Sequence, residues 1–343
     1  MTTESSSWIN RLKSSCLFFV LLAFCFVIGL SLMTAALSHL GEETVGVIEQ
    51  SSTEHDPNSS AVAVISLSGV MLRGADGVSE GITQDFLKML EKAQKDPLIK
   101  AVLIRLNTPG GSVTDADLIY HKIKSLRTSG KPVLLLMDDT CASGGYYAAL
   151  AASEVWALPT TITGSIGVIV SGLNFSKLLS NYGISDESIT SGPNKALFSA
   201  TTAPNPAHRD ILQGIVDQLY VRFLDLLIKG RKLEKEEAQK IADGRVYTAQ
   251  EALKLKLIDK IGYPNEALER VKDLSKISGE VRVVRYHVPK SIFSRFSGQL
   301  GLGLQGQLED QMTLKLALEG PRAYYMYAPQ GLLWRFMRLL KTN

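Results

Sequence analysis

The segment that decides the fold is KAVLIRLNTPGGSVTDADLIYHKIKSLRTSGKPVLLLMDDTCASGG, residues 100–145. It opens with an apolar, β-branched run, continues with apolar residues at helical spacing as far as Gly130, and returns to an apolar run at 132–139. A strand pattern at 61–71 and a helical pattern at 83–96 precede it. Strands that alternate with helices predict an α/β fold with a parallel sheet and crossover helices.

Two glycine-rich loops follow the strands of this segment. NTPGGS, residues 107–112, comes after the second strand, and TCASGG, residues 140–145, comes after the third. Open parallel sheets carry their chemistry in loops at the carboxyl ends of the strands, so both loops are expected at one edge of the sheet. The spacing alone is equally compatible with two tight turns that have no chemical role.

Ser143 stands in the second loop, directly before the helical pattern of SGGYYAALAA. A serine hydroxyl becomes a good nucleophile only when a base removes its proton, and a helix start offers free backbone N–H groups to developing negative charge. Gly144 supplies one such N–H, and Gly110-Gly111 of the other loop is the natural supplier of a second. The two loops together predict one oxyanion hole beside an exposed serine oxygen.

The base for this serine has to be sought elsewhere in the chain. The five histidines lie at positions 39, 55, 121, 208 and 287, outside the glycine-rich loops, and each is interpreted as an ordinary residue. A lysine can serve as a base when burial lowers its pKa. Lys195 fits because it stands beside apolar residues in SGPNKALF, with no carboxylate from Thr190 to Arg209. A solvated, structural lysine is the alternative interpretation.

Other reactive side chains near Ser143 receive simpler interpretations. No base is evidently aimed at Cys141, which is interpreted as a small buried residue. Asp138 and Asp139 are interpreted as part of a solvated turn and not as an acid/base pair. The chain has three cysteines in all, too few for a disulfide framework.

Five motifs occur in one order along the chain: NTPGGS, ASGGYYAALAA, TGSIGV, SGPNK and ADGRVYTAQEAL. Together they resemble the signal peptide peptidase A family of membrane-anchored bacterial serine peptidases, in its short, single-repeat form. The resemblance runs from about residue 61 to 275 and returns at GPRAYYMYA, residues 320–328.

This resemblance implies a Clp/crotonase-like α/β fold and a Ser/Lys dyad that needs no metal or organic cofactor. Ser143 is then the nucleophile and Lys195 the general base, the N–H groups of Gly111 and Gly144 form the oxyanion hole, and Ser165 hydrogen-bonds the lysine amine. The implied substrates are remnant signal peptides and other hydrophobic peptides left in the membrane after secretion. The implied assembly is a homo-oligomeric ring whose subunits share substrate grooves.

An apolar run from Ser14 to Leu40 contains no Asp, Glu, Lys or Arg, and it is long enough to cross a hydrocarbon core of ~30 Å as a helix. Arg11 and Lys13 precede the run and Glu42-Glu43 follow it. The positive-inside rule therefore predicts a single-pass anchor with a cytoplasmic N-terminus and an extracytoplasmic catalytic domain, and the family resemblance implies that the membrane is the bacterial inner membrane. A cleaved signal peptide is the alternative.

The predicted organisation is a cytoplasmic N-terminus, a transmembrane anchor, a polar linker, a peptidase domain and a C-terminal segment, over 1–13, 14–40, 41–60, 61–290 and 291–343. The last segment ends in a basic amphipathic pattern over 331–343. Such a helix suits either an anionic membrane surface or a neighbouring subunit.

Composition and charge exclude some classes of protein. With 45% hydrophobic and 21% charged residues the chain is typical of folded globular proteins, and a net charge of +3 is too small to indicate a nucleic-acid partner. Two non-peptidase hypotheses stay open. A crotonase-type acyl-CoA enzyme is disfavoured by the anchor and by Ser143 at a helix start, and a scaffold without turnover is disfavoured by the presence of both Ser143 and Lys195.

Overall fold

The computed structural model describes residues 48–51, 56, 58–73, 81–278, 281–288 and 323–326. The chain divides into two units, Met1–Gly46 and Val47–Asn343, and every described residue belongs to the second. The predicted anchor and the amphipathic pattern at 331–343 lie outside the described residues. Within the described part, no helix combines the length and the apolar character needed to cross a bilayer.

The described part of the chain forms twelve strands. They are β1 Ile48–Ser51, β2 Ala61–Ser68, β3 Ile99–Thr108, β4 Gly110–Ser112, β5 Val133–Ala142, β6 Glu154–Ala157, β7 Ile162–Gly164, β8 Ile169–Val170, β9 Val246–Thr248, β10 Lys260–Ile261, β11 Arg282–His287 and β12 Ala323–Met326.

Eight helices lie among the same residues. They are α1 Gly81–Lys95, α2 Val113–Thr128, α3 Gly144–Ala149, α4 Ser176–Asn181, α5 Pro206–Arg231, α6 Lys235–Ile241, α7 Ala249–Lys254 and α8 Pro264–Ser275. The predicted alternation of strand and helix is confirmed in the order β2, α1, β3, α2, β5.

The larger sheet has the strand order β1-β11-β2-β3-β5-β6-β10, with β7 paired to β5 and β9 paired to β7. Pairing is parallel from β11 through β2, β3, β5 and β6 to β10, and also between β5 and β7. Only β1 and β9 join this sheet antiparallel, among the strands described. The predicted α/β fold with a parallel sheet is confirmed, and its Clp/crotonase-like type stays a prediction.

Two apolar layers cover the faces of this sheet. Phe86 of α1, Ile119 of α2, Tyr147 of α3 and Phe223 of α5 belong to the larger core cluster on one side. Side chains of α8 and Trp156 of β6 form a smaller cluster on the other side. Because both faces are covered, the central strands are near-continuous apolar runs. This explains why the sequence pattern predicted β3 and β5 correctly as strands.

A second, three-stranded sheet has the order β4-β12-β8, and β12 is antiparallel to both neighbours. The residues of β12 come from the motif GPRAYYMYA, so part of the predicted C-terminal segment completes a sheet that begins at the first glycine loop. The predicted linker at 41–60 also contains a strand that the sequence analysis missed, because β1 is ordered by its pairing with β11.

Candidate active site

The residues with predicted chemical roles lie mostly at the carboxyl ends of three neighbouring strands, β3, β5 and β7. Ala142 of β5 is in register with Gly164 of β7, so Ser143 and Ser165 follow at adjacent positions along the edge of the sheet. The glycine strand β4 follows β3 at the same edge. The structure thus brings together four of the five predicted site residues. These four are Ser143, Ser165, Gly111 and Gly144.

Ser143 joins β5 to α3 through a strained turn. Its φ is 52° and its ψ is −110°, a region that residues with a side chain rarely adopt. Two backbone hydrogen bonds hold the turn: the Ser143 N–H donates to the Gly164 carbonyl at 2.8 Å, and the Ser143 carbonyl accepts from the Tyr147 N–H at 2.8 Å. Strain of this kind costs about 1–3 kcal/mol and clusters at functional sites.

Ser143 is only 1% exposed, whereas the sequence analysis expected an exposed oxygen. That expectation is wrong because the six-residue helix α3, which Ser143 precedes, is buried and packs against α2, β4, β5 and β12.

Ser165 lies beside Ser143 and is held by the ADGRVYTAQEAL motif. Its φ is also positive, at 50°, and its N–H donates to the Arg245 carbonyl at 2.7 Å. At the preceding Gly164, a Cβ would lie 2.6 Å from a ring carbon of Tyr247. The ring of Tyr247 therefore requires glycine at 164, and the antiparallel strand β9 fixes the backbone that leads into Ser165.

Gly111 lies against the backbone of Met71. The Met71 N–H donates to the Gly110 carbonyl at 2.8 Å, and the Met71 carbonyl accepts from the Ser112 N–H at 3.0 Å. A Cβ on Gly111 would lie 2.2 Å from the Met71 carbonyl oxygen, so only glycine fits. Backbone groups of successive strand residues point to opposite edges, and the N–H of Gly111 therefore points away from Met71, toward β12.

Gly144 is buried and is the first residue of α3. The first i→i−4 bond of this helix is the one from Tyr147 to Ser143, so the N–H of Gly144 has no acceptor within the helix. At Gly145 a Cβ would lie 2.7 Å from the Cγ2 atom of Thr108 and 3.2 Å from the sulfur of Cys141. The second glycine therefore lets α3 approach β3, a packing role that the sequence analysis did not assign.

Lys195 is not brought to Ser143 within one chain. It is exposed, in a turn where its N–H donates to the Gly192 carbonyl at 3.1 Å. Among the described residues, no hydrogen bond or ion pair involves its amine. The predicted burial of Lys195 by its apolar neighbours is therefore wrong for the isolated chain, because the segment from 182 to 205 lies mostly at the surface.

The other reactive groups near the site have structural surroundings. Cys141 is fully buried and burial raises the pKa of its thiol, in agreement with its interpretation as a small buried residue. The prediction that Asp138 belongs to a solvated turn is wrong, because Asp138 lies in β5 and pairs with Arg105 at 2.9 Å. Asp139 also lies in β5 and accepts a hydrogen bond from Asn107 at 3.1 Å.

A polar network that the sequence analysis missed joins α3 to α2 and α5. The Tyr147 hydroxyl donates to Asp117 at 2.6 Å, and Arg222 reaches both Asp117 at 2.6 Å and the Tyr147 oxygen at 3.0 Å. The hydrogen bond to Asp117 raises the pKa of Arg222 further above its usual range. Because α2, α3 and α5 each contribute one residue, nothing in the local sequence indicates the network.

Comparisons with known proteins identify the family of this chain. Residues 125–278 match the model of "Peptidase family S49". A candidate protease from Synechocystis is 35% identical over 222 residues, which cover 64% of this chain and 79% of that protein. The chain belongs to peptidase family S49. Within that family it is similar to proteins of the signal peptide peptidase A type, as the motifs predicted.

A candidate signal peptide peptidase SppA from Enterococcus faecium is also 35% identical, over 203 residues. The match covers 59% of this chain and 59% of that protein, so the chain spans less than two thirds of the length of this S49 relative. Among solved structures, a mutant of ClpP1 from Listeria monocytogenes is similar with a TM-score of 0.39 and 17% identity, over 60% of this chain and 94% of that chain. A similarity at this level carries no argument about the site.

Proposed function

We propose that this S49 peptidase is a membrane-anchored endopeptidase that forms an acyl-enzyme on Ser143, with Lys195 as general base. The observation that carries the proposal is the strained turn at Ser143, held beside a glycine strand that already pairs with an extended segment of chain. Family S49 membership supports peptide hydrolysis over an acyl-CoA reaction. No metal or organic cofactor takes part in the proposed reaction.

The substrate binds as a strand in the position that β12 occupies between β4 and β8. Pairing with a sheet edge gives main-chain hydrogen bonds along a peptide without reading its sequence. In that position a peptide carbonyl faces the N–H of Gly111, as the backbone of Tyr325 does at its register partner. The N–H of Gly144 approaches from α3 and completes the proposed oxyanion hole.

The chemistry then follows from these positions. The neutral amine of Lys195 takes the proton of the Ser143 hydroxyl while the oxygen attacks the carbonyl carbon, and the resulting oxyanion accepts from Gly111 and Gly144. Collapse breaks the C–N bond, and the leaving amine takes the proton from Lys195. Water, deprotonated by the same lysine, attacks the ester, releases the carboxylic acid and returns the proton to Ser143. Ser165 orients the lysine amine.

Lys195 reaches Ser143 from a neighbouring copy of the chain. Its exposure within one chain supports this arrangement, as do large apolar residues on the same segment: Tyr182 is 77% exposed and Ile189 is 101% exposed. Large exposed apolar side chains grouped on one segment are typical of an interface. A homo-oligomeric ring, in which each subunit lends its lysine to the next, would bury these side chains and the lysine stem together.

The substrates that we propose are remnant signal peptides and other hydrophobic peptides released into the bacterial inner membrane. The apolar run at 14–40 anchors the enzyme, its N-terminus lies in the cytoplasm and the catalytic domain lies outside it. The name of the Enterococcus faecium relative supports this substrate class.

The test is cleavage of a hydrophobic signal-peptide sequence by the full-length chain in detergent, across pH 6 to 10. We expect Ser143→Ala and Lys195→Ala each to abolish cleavage, and the wild-type rate to rise through a lysine pKa below the ordinary ~10.4. Co-expression of the two inactive variants is expected to restore up to about a quarter of wild-type activity, because random mixing pairs an intact serine with a neighbour's intact lysine at that frequency. Full activity of Ser143→Ala would overturn the proposal, and failure of co-expression to restore activity would place the lysine in the same chain as its serine.

A further inference from the structure

A buried carboxylate lies close to the glycine strand but outside the proposed dyad. Asp115, in the first turn of α2, is only 2% exposed. Its Oδ2 atom accepts the backbone N–H of Arg73 at 2.9 Å, and its Oδ1 atom accepts from Nε of Arg73 at 2.5 Å. A buried carboxylate is costly to desolvate unless it is fully paired, and among the described residues both of its hydrogen bonds go to Arg73.

Arg73 belongs to a short segment that lies along β4. We call residues Met71–Arg73 the strap. Met71 is fully buried, and its N–H and carbonyl bond Gly110 and Ser112 on the two sides of Gly111. The strap makes one isolated bridge to β4, at Met71 and Gly111. Before the strap, the Gly69 N–H bonds the Asn107 carbonyl at 2.9 Å, and at Arg73 the strap is held by Asp115.

The bond from Met71 to Gly110 fixes the direction of the N–H of Gly111. The Gly110 carbonyl and the Gly111 N–H belong to the same planar peptide unit and point to opposite sides of it. If the Gly110 oxygen is held on Met71, the Gly111 hydrogen is held toward the opposite edge, where the proposed substrate strand binds. Gly110 has a φ of 99°, so this peptide plane has more rotational freedom than one between ordinary residues.

We propose that Asp115 is a positioning residue for the oxyanion hole. It lies three residues after the end of β4 and is fixed to it through the start of α2, while its carboxylate holds the far end of the strap. The connection therefore forms a closed loop from β4 through Asp115, Arg73 and Met71 back to β4. Without the carboxylate, the strap separates from α2 and the peptide plane at Gly111 turns away from the attacked carbonyl.

This inference rests on the proposed function for its effect on catalysis, but its structural step can be measured without catalysis. The first experiment is hydrogen exchange of the full-length chain in detergent, followed by mass spectrometry of peptides that cover Met71–Arg73 and Gly110–Ser112. Asp115→Asn is expected to increase exchange in both peptides. The matched control is Glu154→Gln, which removes a carboxylate paired with Arg270 at 2.6 Å. Glu154 lies in β6, on the side of β5 that faces away from β3, so the control is expected to leave exchange in both peptides unchanged. Unchanged exchange in Asp115→Asn would overturn the inference, whether or not the enzyme is active.

The second experiment measures the reactivity of Ser143 and the kinetics of peptide cleavage. A peptidyl fluorophosphonate reacts with an activated serine and places its phosphoryl oxygen in the oxyanion hole. Asp115→Asn is expected to slow modification of Ser143 and to lower kcat by about tenfold to a hundredfold, with a much smaller change in KM. Arg73→Gln is expected to have a weaker effect, because the backbone N–H of residue 73 still bonds Asp115, and the double variant is expected to behave like Asp115→Asn.

The two proposals fail in different ways. Wild-type protein that reacts at a residue other than Ser143 would contradict the proposed function, while the exchange data would still decide the structural role of Asp115. If wild type reacts at Ser143 and Asp115→Asn keeps the same rate and kcat, the proposed function stands and the positioning role is wrong. An equal loss of kcat in Glu154→Gln would also overturn the positioning role, because any lost ion pair would then have the same effect.

Discussion

Substitution of Gly111 by alanine perturbs the proposed oxyanion hole through the backbone alone. The new Cβ would lie 2.2 Å from the carbonyl oxygen of Met71 and 2.7 Å from its nitrogen and carbonyl carbon. All three are backbone atoms, so no side-chain rotation relieves the clash. Ordinary contact begins at 3.4 Å, so β4 and the strap have to separate by about 1.2 Å, the difference between 3.4 and 2.2 Å.

That separation is large compared with the geometry it disturbs. The bonds from Met71 to Gly110 and from Ser112 to Met71 are 2.8 and 3.0 Å long, and each is worth about 0.5–1.5 kcal/mol to stability. A misplacement of about 1 Å can cost about a hundredfold in rate, and loss of one oxyanion donor costs about 10²–10³ in kcat. We therefore expect Gly111→Ala to lower kcat about a hundredfold or more, and the free energy of unfolding by about 1–3 kcal/mol.

The assay is cleavage of a hydrophobic signal-peptide sequence by the full-length chain, combined with thermal unfolding. The matched control is Gly214→Ala in α5, where an added Cβ meets nothing within 4 Å and where alanine is favoured by about 1 kcal/mol in a helix. The control is expected to keep wild-type kcat. A folded Gly111→Ala variant with kcat within about threefold of wild type would refute both the assignment of the Gly111 N–H and the role given to its fit against Met71.

Three further predictions follow from the surroundings of the site. Cys141→Ala is expected to keep the wild-type kcat and pH profile of peptide cleavage, because burial raises the pKa of the thiol and keeps it protonated; a large loss of kcat in a stable variant would contradict the assignment of Ser143 as nucleophile. Tyr147→Phe is expected to lower the free energy of unfolding, measured in urea, by about 1–3 kcal/mol because Asp117 loses a charge-assisted hydrogen bond; an unchanged midpoint would contradict the network. The hydrogen bond from the Thr248 N–H lowers the pKa of Glu251, so its stabilisation is present above the ordinary value of 4.5 and is lost as the pH falls through the lower folded value. The melting temperature of wild type is therefore expected to exceed that of Glu251→Gln near neutral pH and to approach it in acid; a constant difference would contradict the capping role.

Much of the scaffold could be predicted because its signals are local. The apolar runs of β3 and β5 are continuous because both faces of the sheet are covered, and the capping box at the start of α7 joins Thr248 and Glu251, which are three residues apart. The position of Ser143 at a sheet edge followed from the rule that loops after parallel strands share one edge. These are consequences of neighbouring residues and of chain order, which a sequence displays directly.

The rest could not be predicted because it depends on residues distant along the chain. The burial of Ser143 depends on packing by β4 and by β12, which begins at Ala323, 180 residues after Ser143. Asp115 and Arg73 are 42 residues apart, and no local pattern connects them. The burial predicted for Lys195 failed because its apolar neighbours are half-buried while the lysine itself is exposed in the single chain, a property set by tertiary packing.

The backbone conformation of Ser143 also lowers the stability of the folded protein. Lys232 and Lys276 have positive φ values too, but they lie at helix ends in the common left-handed conformation. Ser143 combines a positive φ with a ψ of −110°, a combination that glycine tolerates far better than serine. Glycine there would relieve the strain but remove the proposed nucleophile, so stability and the proposed activity conflict at this residue. Engineering of a more heat-resistant form should therefore begin far from this turn, since the easiest gain in stability lies at the residue that the proposed reaction needs most.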